Sequence, residues 1–287
     1  MGATERGTPE GEAVSGTRRA GDGTVAKALE VLDLVAAFER PVRFGELLAR
    51  ASYPKATLYR LVQTLARERM LSYDEERQTY APGIRLVRLA HAAWKQSSLA
   101  PIARPVLDAL SARLGETVHL AQLDHGQVLY VDKRSATNPV AMFSDLGKIG
   151  PAYCTGVGKA MLAHQPADRV EEIIAQQSFH PFTPRTLPDA AALRAELGRI
   201  RAEGVAFDRE EHEAGIICVA VPILTPGGHC LGGLSVTSTT ARNSTEGLAD
   251  LVPDLREAAE TIAREAEAWR FPETTRPGPA PLKETHR

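Results

Sequence analysis

The chain has 287 residues, of which 43% are hydrophobic and 24% charged, with a formal net charge of −2. This is the composition of a soluble globular protein with room for about two domains. It excludes a membrane helix, since the longest apolar run, Ile216–Leu224, spans nine residues against the ~20 required and reads as a buried strand.

In chain order, residues 1–23 are polar, rich in Gly and Thr, and lack periodicity. They are expected to be a disordered tail, as are residues 270–287. The first tail has no apolar core of a secretory signal, so a cytoplasmic protein is expected. From Thr24, an N-cap by residue type, Val25, Leu29, Leu32, Val35 and Ala36 recur at helical spacing, and Pro41 ends the helix. Residues 46–49 read as a short helix and 51–53 as a turn. Pro54 opens a third helix with the stripe Leu58, Leu61, Val62 and Leu65. After Met70 the period changes to that of strands, at 71–73 and 79–81, around a polar turn. Three helices and a hairpin predict a winged helix-turn-helix domain over residues 24–83. Helical spacing resumes at Ile84, predicting a linker helix over 84–98.

A second domain is expected over 99–269. A helix through Val106, Leu107, Leu110 and Leu114 ends near Gly115. Strands at 118–123 and 128–131 are joined by Asp124-His125-Gly126-Gln127, a hairpin turn. Helices follow near 158–164, 167–175 and 190–203. Strands come at 216–224 and 230–237, and a last helix runs from about 245 to 269. Helices around hairpin-joined strands predict an α+β domain on an antiparallel sheet.

The charge is uneven. Residues 24–97 hold 12 Lys+Arg against 8 Asp+Glu, so a basic N-terminal part sits on an acidic remainder. That balance suits a protein that touches nucleic acid with one end. The third helix presents Lys55, Ala56, Tyr59, Arg60 and Gln63 opposite its apolar stripe, with Thr57 beside them. Such a face can enter the major groove, where Lys55 and Arg60 reach phosphates or guanine edges and Thr57, Tyr59 and Gln63 make polar contacts. Arg77, at the wing tip, is placed for backbone or minor-groove contact. The alternative is an amphipathic helix whose charged face is only solvated.

In the second domain, Gly156 opens a segment leading into a helix, where free backbone N–H groups can hold an anion. Ser235 and Thr237, two apart on a strand, share a face, and Cys218 lies on the neighbouring strand. Together they predict a small polar pocket in an apolar frame, fit for a carboxylate or oxo acid. Each also has a structural reading. Cys218 is then inert core, Ser235 and Thr237 are satisfied strand residues, and Asp208 and Glu211 bond loop backbone. Lys159 is a candidate ligand partner, but a lysine in a first helical turn is expected to be exposed.

Val25-Ala26-Lys27-Ala28-Leu29, and 53–62 from Tyr53-Pro54-Lys55 to Leu61-Val62, resemble the IclR family of bacterial transcription regulators. Ala56 stands where the family usually has Ser, and Pro82 where it has Leu before Gly. The resemblance extends over about 24–268 through residues 151–160, 204–220 and Leu234-Ser235-Val236-Thr237. It implies a GAF-like α/β effector-binding domain. It also implies that Gly156, Val157, Asp208, Cys218, Ser235 and Thr237 contact a small carboxylate, with Met142 on the apolar wall. Expected partners are double-stranded operator DNA, a carboxylate, aromatic acid or sugar acid as effector, and a second copy in a homodimer or dimer of dimers. The function implied is regulation of a catabolic operon, as a repressor. No membrane partner is expected.

Two other classes remain. A cysteine hydrolase would use Cys218 with His212, oriented by Asp208, but a nucleophilic cysteine needs an electropositive, partly exposed site. A protein-interaction module would leave the basic helix unexplained. The cysteines Cys154, Cys218 and Cys230 form no CxxC pair, so no structural zinc, disulfide framework or cofactor is expected.

Overall fold

A computed structural model describes residues 23–97 and 99–268. The two expected tails, Gly23 apart, lie outside the described residues. The chain divides into two compact units between Ala92 and Ala93.

The first unit holds α1 (Thr24–Ala36), β1 (Val42–Arg43), α2 (Phe44–Arg50), α3 (Lys55–Arg67), β2 (Leu71–Asp74) and β3 (Thr79–Pro82). The helix α4 (Ile84–Ser97) spans the division. Val31, Leu32 and Val35 of α1, Leu47 of α2 and the α3 stripe Leu58, Leu61, Val62 and Leu65 form one buried core with Val42, Leu71 and Tyr80. Burial of four branched side chains from one helix face, at ~1.5–3 kcal/mol each, is what holds α3 in place. The strands pair antiparallel in the order β1-β3-β2. β1 was not foreseen, because two residues carry no period. The helix start shifts by one residue, with Gly23 at the N-cap in extended backbone and Thr24 already helical. α1 ends at Ala36, ahead of Pro41, with Glu39 turning the chain at φ 51°. Pro54 is the N-cap of α3 rather than its first residue, at φ −56° and ψ 145°. Gly83 closes the wing against the chain that follows α3, and any Cβ there would collide with the Arg69 carbonyl.

The second unit contains α5 (Ala100–Leu114), β4 (Thr117–Asp124), β5 (Gln127–Arg134), β6 (Ile149–Pro151) and α6 (Gly156–Leu162). It continues with α7 (Ala167–Gln176), α8 (Ala190–Glu203), β7 (Ala206–Arg209), β8 (Ile216–Leu224), β9 (Cys230–Thr239), α9 (Thr245–Ala249) and α10 (Val252–Ala268). The strands form one antiparallel sheet in the order β6-β5-β4-β9-β8-β7. One face, with Val118, Leu120, Val219, Val221, Leu234 and Val236, packs on α5 and α10. The other, with Ala121, Tyr130, Ala206 and Ala220, packs on α6, α7 and α8. Alternating side chains put successive residues on opposite faces, so both faces are covered and the strands read as continuous apolar runs.

Local chemistry sets the boundaries. His125 at φ 47° and Gly126 at φ 81° make the two-residue turn that matches strand twist between β4 and β5. Gly115 and Gly204 end α5 and α8 in the left-handed conformation, and the Asp189 carboxylate accepts the Ala192 N–H to start α8. The expected single last helix is two. Pro253 has no N–H to donate to the Ala249 carbonyl, so α9 does not continue through it and the chain restarts with Pro in the first turn of α10. β6 and β7 were not predicted, being three and four residues long at the sheet edges.

Candidate functional site

Two sites follow from this frame, one in each unit. On α3, Lys55, Ala56, Tyr59, Arg60 and Gln63 are exposed and Thr57 half-buried, opposite the buried stripe. No described carboxylate pairs with Lys55 or Arg60 in an ion pair. The Gln63 amide donates to the Tyr80 hydroxyl at 3.1 Å, which ties the outer face of α3 to the wing. Tyr59 packs edge-on to Phe44, with ring centroids 5.7 Å apart. Arg77 sits at the exposed wing turn, its N–H donating to the Asp74 carboxylate at 3.0 Å. Between α3 and the wing runs a groove of about 630 Å³ that also takes in Arg43, Tyr73 and Gln78. Arg43 and Gln78 carry no periodic signal, since their place comes from strand pairing. The surface is a projecting basic helix beside a β-hairpin, the shape that fits a major groove and the backbone next to it.

In the second unit, Met142, Gly156, Val157, Asp208, Cys218, Ser235 and Thr237 all line one cavity of about 30 Å³. The sheet explains why. Asp208, Cys218 and Thr237 are directly paired across β7, β8 and β9, and one pleat further Ser235 faces His119 of β4. Residues paired across strands and two apart along them share a face. That face meets the start of α6, where Gly156 packs so closely that a Cβ would collide with Cys218 Sγ. Its N–H points at that sulfur, as does the N–H of Asp208. The segment between β5 and β6 covers the cavity, with Met142 and Ser144 turned inward and their neighbours exposed. It is fastened by the Phe143 N–H donating to Glu213 at 3.0 Å and by Lys133 Nζ donating to the Ser144 carbonyl at 2.8 Å.

His119, Tyr130 and Ser144 also line this cavity and carry no signal in the sequence; His212, the partner of Cys218 in the hydrolase alternative, lines it as well. His119 sits in an apolar run, and its role depends on β4 pairing with β9, more than a hundred residues away. Its ring nitrogens meet Ser144 Oγ at 3.0 Å and Thr237 Oγ1 at 3.3 Å. Burial, then the Lys133 charge, push its pKa down to about 3, so the imidazole is neutral. Burial, then the Glu211 charge, push the Asp208 carboxyl up to about 7, although it accepts the Glu211 N–H at 2.7 Å.

Lys159 is fully buried, not exposed as expected. Its ammonium contacts Glu211 at 2.5 and 2.6 Å and Glu196 at 3.4 Å. Glu211 therefore spends its carboxylate on Lys159 rather than on loop backbone. Its carbonyl is held by the Thr186 hydroxyl at 2.6 Å. These bonds fix the 210–215 loop at the mouth of the pocket.

Burial pushes the Cys218 thiol up and the His212 imidazole down, the opposite of a thiolate–imidazolium pair. Among the described residues no His, Cys, Asp and Glu cluster could hold a metal, and no described helix is long and apolar enough to cross a membrane.

Residues 24–75 match the IclR helix-turn-helix domain and residues 91–264 the C-terminal domain of bacterial transcriptional regulators of the IclR type. The chain is 31% identical over 251 residues to the HTH-type transcriptional regulator KdgR of Escherichia coli, covering 87% of this chain and 95% of the relative. The crystal structure of the Thermotoga maritima IclR is similar at a TM-score of 0.69 and 30% identity, over 84% of this chain and 98% of that one. An IclR homolog from Microbacterium hydrocarbonoxydans complexed with 4-hydroxybenzoate matches at a TM-score of 0.74 and 25% identity, over 86% and 100%. The protein is thus a DNA-binding transcription regulator, not an enzyme, and the hydrolase alternative falls. With both domain types matched in order and most of the chain covered, it belongs to the IclR family of bacterial transcription regulators.

Proposed function

We propose that this regulator represses a catabolic operon in the cytoplasm, and that a small carboxylate, aromatic acid or sugar acid bound in the second unit controls its grip on operator DNA. The observation that carries the effector half is convergence. Met142, Gly156, Val157, Asp208, Cys218, Ser235 and Thr237, spread over nearly a hundred residues of chain, meet at one cavity. Hydroxyls and a neutral imidazole in an apolar frame suit the polar end of a small acid. The volume holds about two water-sized groups. A larger acid requires the Met142–Ser144 segment to move outward.

In the DNA half, Lys55, Thr57, Tyr59, Arg60 and Gln63 read the major groove, Ala56 lets the helix approach closely, and Arg77 takes the flanking backbone. The working form is a homodimer or dimer of dimers on a partly palindromic operator. Supporting it, the first unit leaves Val25, Leu29, Ile84, Val87 and Leu89 exposed, more apolar surface than an isolated small unit needs. Two linked copies also multiply weak single-module affinities. An effector that favours one arrangement of the copies shifts DNA affinity by that preference, and ~1–3 kcal/mol of coupling switches binding about 5–150-fold.

The test is capture of sheared genomic DNA by the purified protein at moderate salt, with sequencing, then release by a panel of small acids. Enrichment of a few palindromic intergenic sites, released by one acid class, is the expected result. Capture that never rises above salt-sensitive background, with or without acids, refutes the reading.

A further inference from the structure

The pocket has the wrong charge for the ligand its shape suits. Among its described lining residues none is Lys or Arg, while Asp208 and Glu213 contribute carboxyls. Glu213 already accepts the Phe143 N–H at 3.0 Å. Asp208 is 6% exposed and lies in the same row as Cys218 and Thr237, so an acid bound there meets it directly.

The groups around Asp208 do not supply a compensating cation. From α6 comes Lys159, whose charge favours the ionised form of Asp208 but less than burial and the Glu211 charge oppose it, its ammonium being held by both oxygens of Glu211 and by Glu196 of α8. From β8 comes the Cys218 thiol, from the chain before α6 the Cys154 thiol, and from β5 the Tyr130 hydroxyl, all held neutral by burial. From β4 comes neutral His119, and from the loop after β7 come His212, whose imidazole burial also keeps neutral, and Glu211. An ionised Asp208 would therefore repel an ionised acid across a buried cavity, where screening by solvent is weak.

We propose that the pocket is a two-ligand site, taking a carboxylate together with one proton that resides on Asp208. The protonated side chain then donates a hydrogen bond to the anion instead of repelling it. The proton comes from solvent and returns there on release. The inference rests on the small-acid reading above. Burial and the Glu211 charge already bring Asp208 close to accepting the proton, at about 7, and an anion alongside raises it further. The effector response then strengthens as pH falls.

The experiment is titration calorimetry of the full chain with glyoxylate, 4-hydroxybenzoate and gluconate, whose carboxyls stay ionised over the range used. It runs from about pH 6 to about pH 9 in pairs of buffers of different ionisation enthalpy. The expected result is an affinity that is nearly level at the acid end and falls about tenfold per pH unit at the alkaline end, with proton uptake approaching one per acid bound. Asp208→Asn, which keeps an acceptor for the Glu211 N–H, removes both the uptake and the slope. Level affinity without proton uptake in the wild type overturns the proposal and leaves the small-acid reading standing. So does undiminished uptake in Asp208→Asn. If that variant does not fold, the wild-type proton count decides alone. If no acid binds at any pH, the small-acid reading fails and takes the proposal with it.

Discussion

Glu211→Gln isolates the buried ion pair at the pocket mouth. Lys159 has no solvent exposure, and Glu211 meets its ammonium with both oxygens at 2.5 and 2.6 Å. Removing one partner of a buried pair costs ~3–5 kcal/mol, because the charge left behind has neither water nor counter-ion. Glu196 remains at 3.4 Å, but it also serves Arg199 and Arg209, so the loss falls near the lower end. About 3 kcal/mol corresponds to a fall of roughly 6–12 °C in the melting temperature of a unit this size. Replacing both partners by apolar residues, Lys159→Met with Glu211→Leu, recovers most of it, since well-packed isosteres of a buried pair are often neutral. Thermal and urea unfolding followed by circular dichroism, at low and high salt, measures all three proteins. A Glu211→Gln loss within ~0.5 kcal/mol of zero, or one that vanishes in salt, would show that Lys159 is not in a dry site.

Arg60→Ala and Lys55→Ala should each weaken operator binding, by ~1–3 kcal/mol where a base edge is lost, or by lowering the salt slope by about one where a phosphate is lost. Effector binding should be untouched, and equal damage to both activities would contradict separate sites. Gly156→Ala places a methyl against Cys218 Sγ, with Ala220 Cβ at 3.4 Å, and should cost ~1–3 kcal/mol of stability together with acid affinity. Cys218→Ala in the same chain should restore the stability, and a strictly additive double mutant would refute that contact. His119 and Asp208 should give opposing pH slopes in stability. His119 has its pKa lowered from 6.5 to about 3, so its contribution is present above about pH 6.5 and lost as pH falls towards 3. Asp208 has its pKa raised from 3.8 to about 7, so its contribution is present below about pH 4 and lost as pH rises through 7. Between those limits the two cancel. Asp208→Asn should unmask a loss of about 1 kcal/mol per unit of falling pH, and His119→Gln the reverse, in denaturant titrations. Parallel profiles for the two variants would refute the assignment.

Much of the fold is legible along the chain because it is encoded locally. The α3 stripe at helical spacing, Gly115 after α5, the His125-Gly126 turn and the apolar run of β8 each carry their signal within a few residues. Where that signal was short or ambiguous, the reading failed: two-residue β1, three-residue β6, and the break before Pro253. Lys159 is the most instructive miss. A lysine in a first turn is normally solvated, and nothing near it in sequence announces Glu196 and Glu211, which only the packing of α8 and the 210–215 loop on α6 brings together.

The pocket divides the same way. The residue types at 156, 208, 218, 235 and 237, and the family they resemble, were available from the sequence, because strand periodicity puts 235 and 237 on one face. The charge state of the site was not. His119 becomes neutral and Asp208 proton-prone only because strands far apart in the chain pair side by side and α6 closes over them, removing the water that sets ordinary pKa values. Periodicity along a chain determines which way a side chain points. What it faces, and in what dielectric, is decided by the pairing of distant strands.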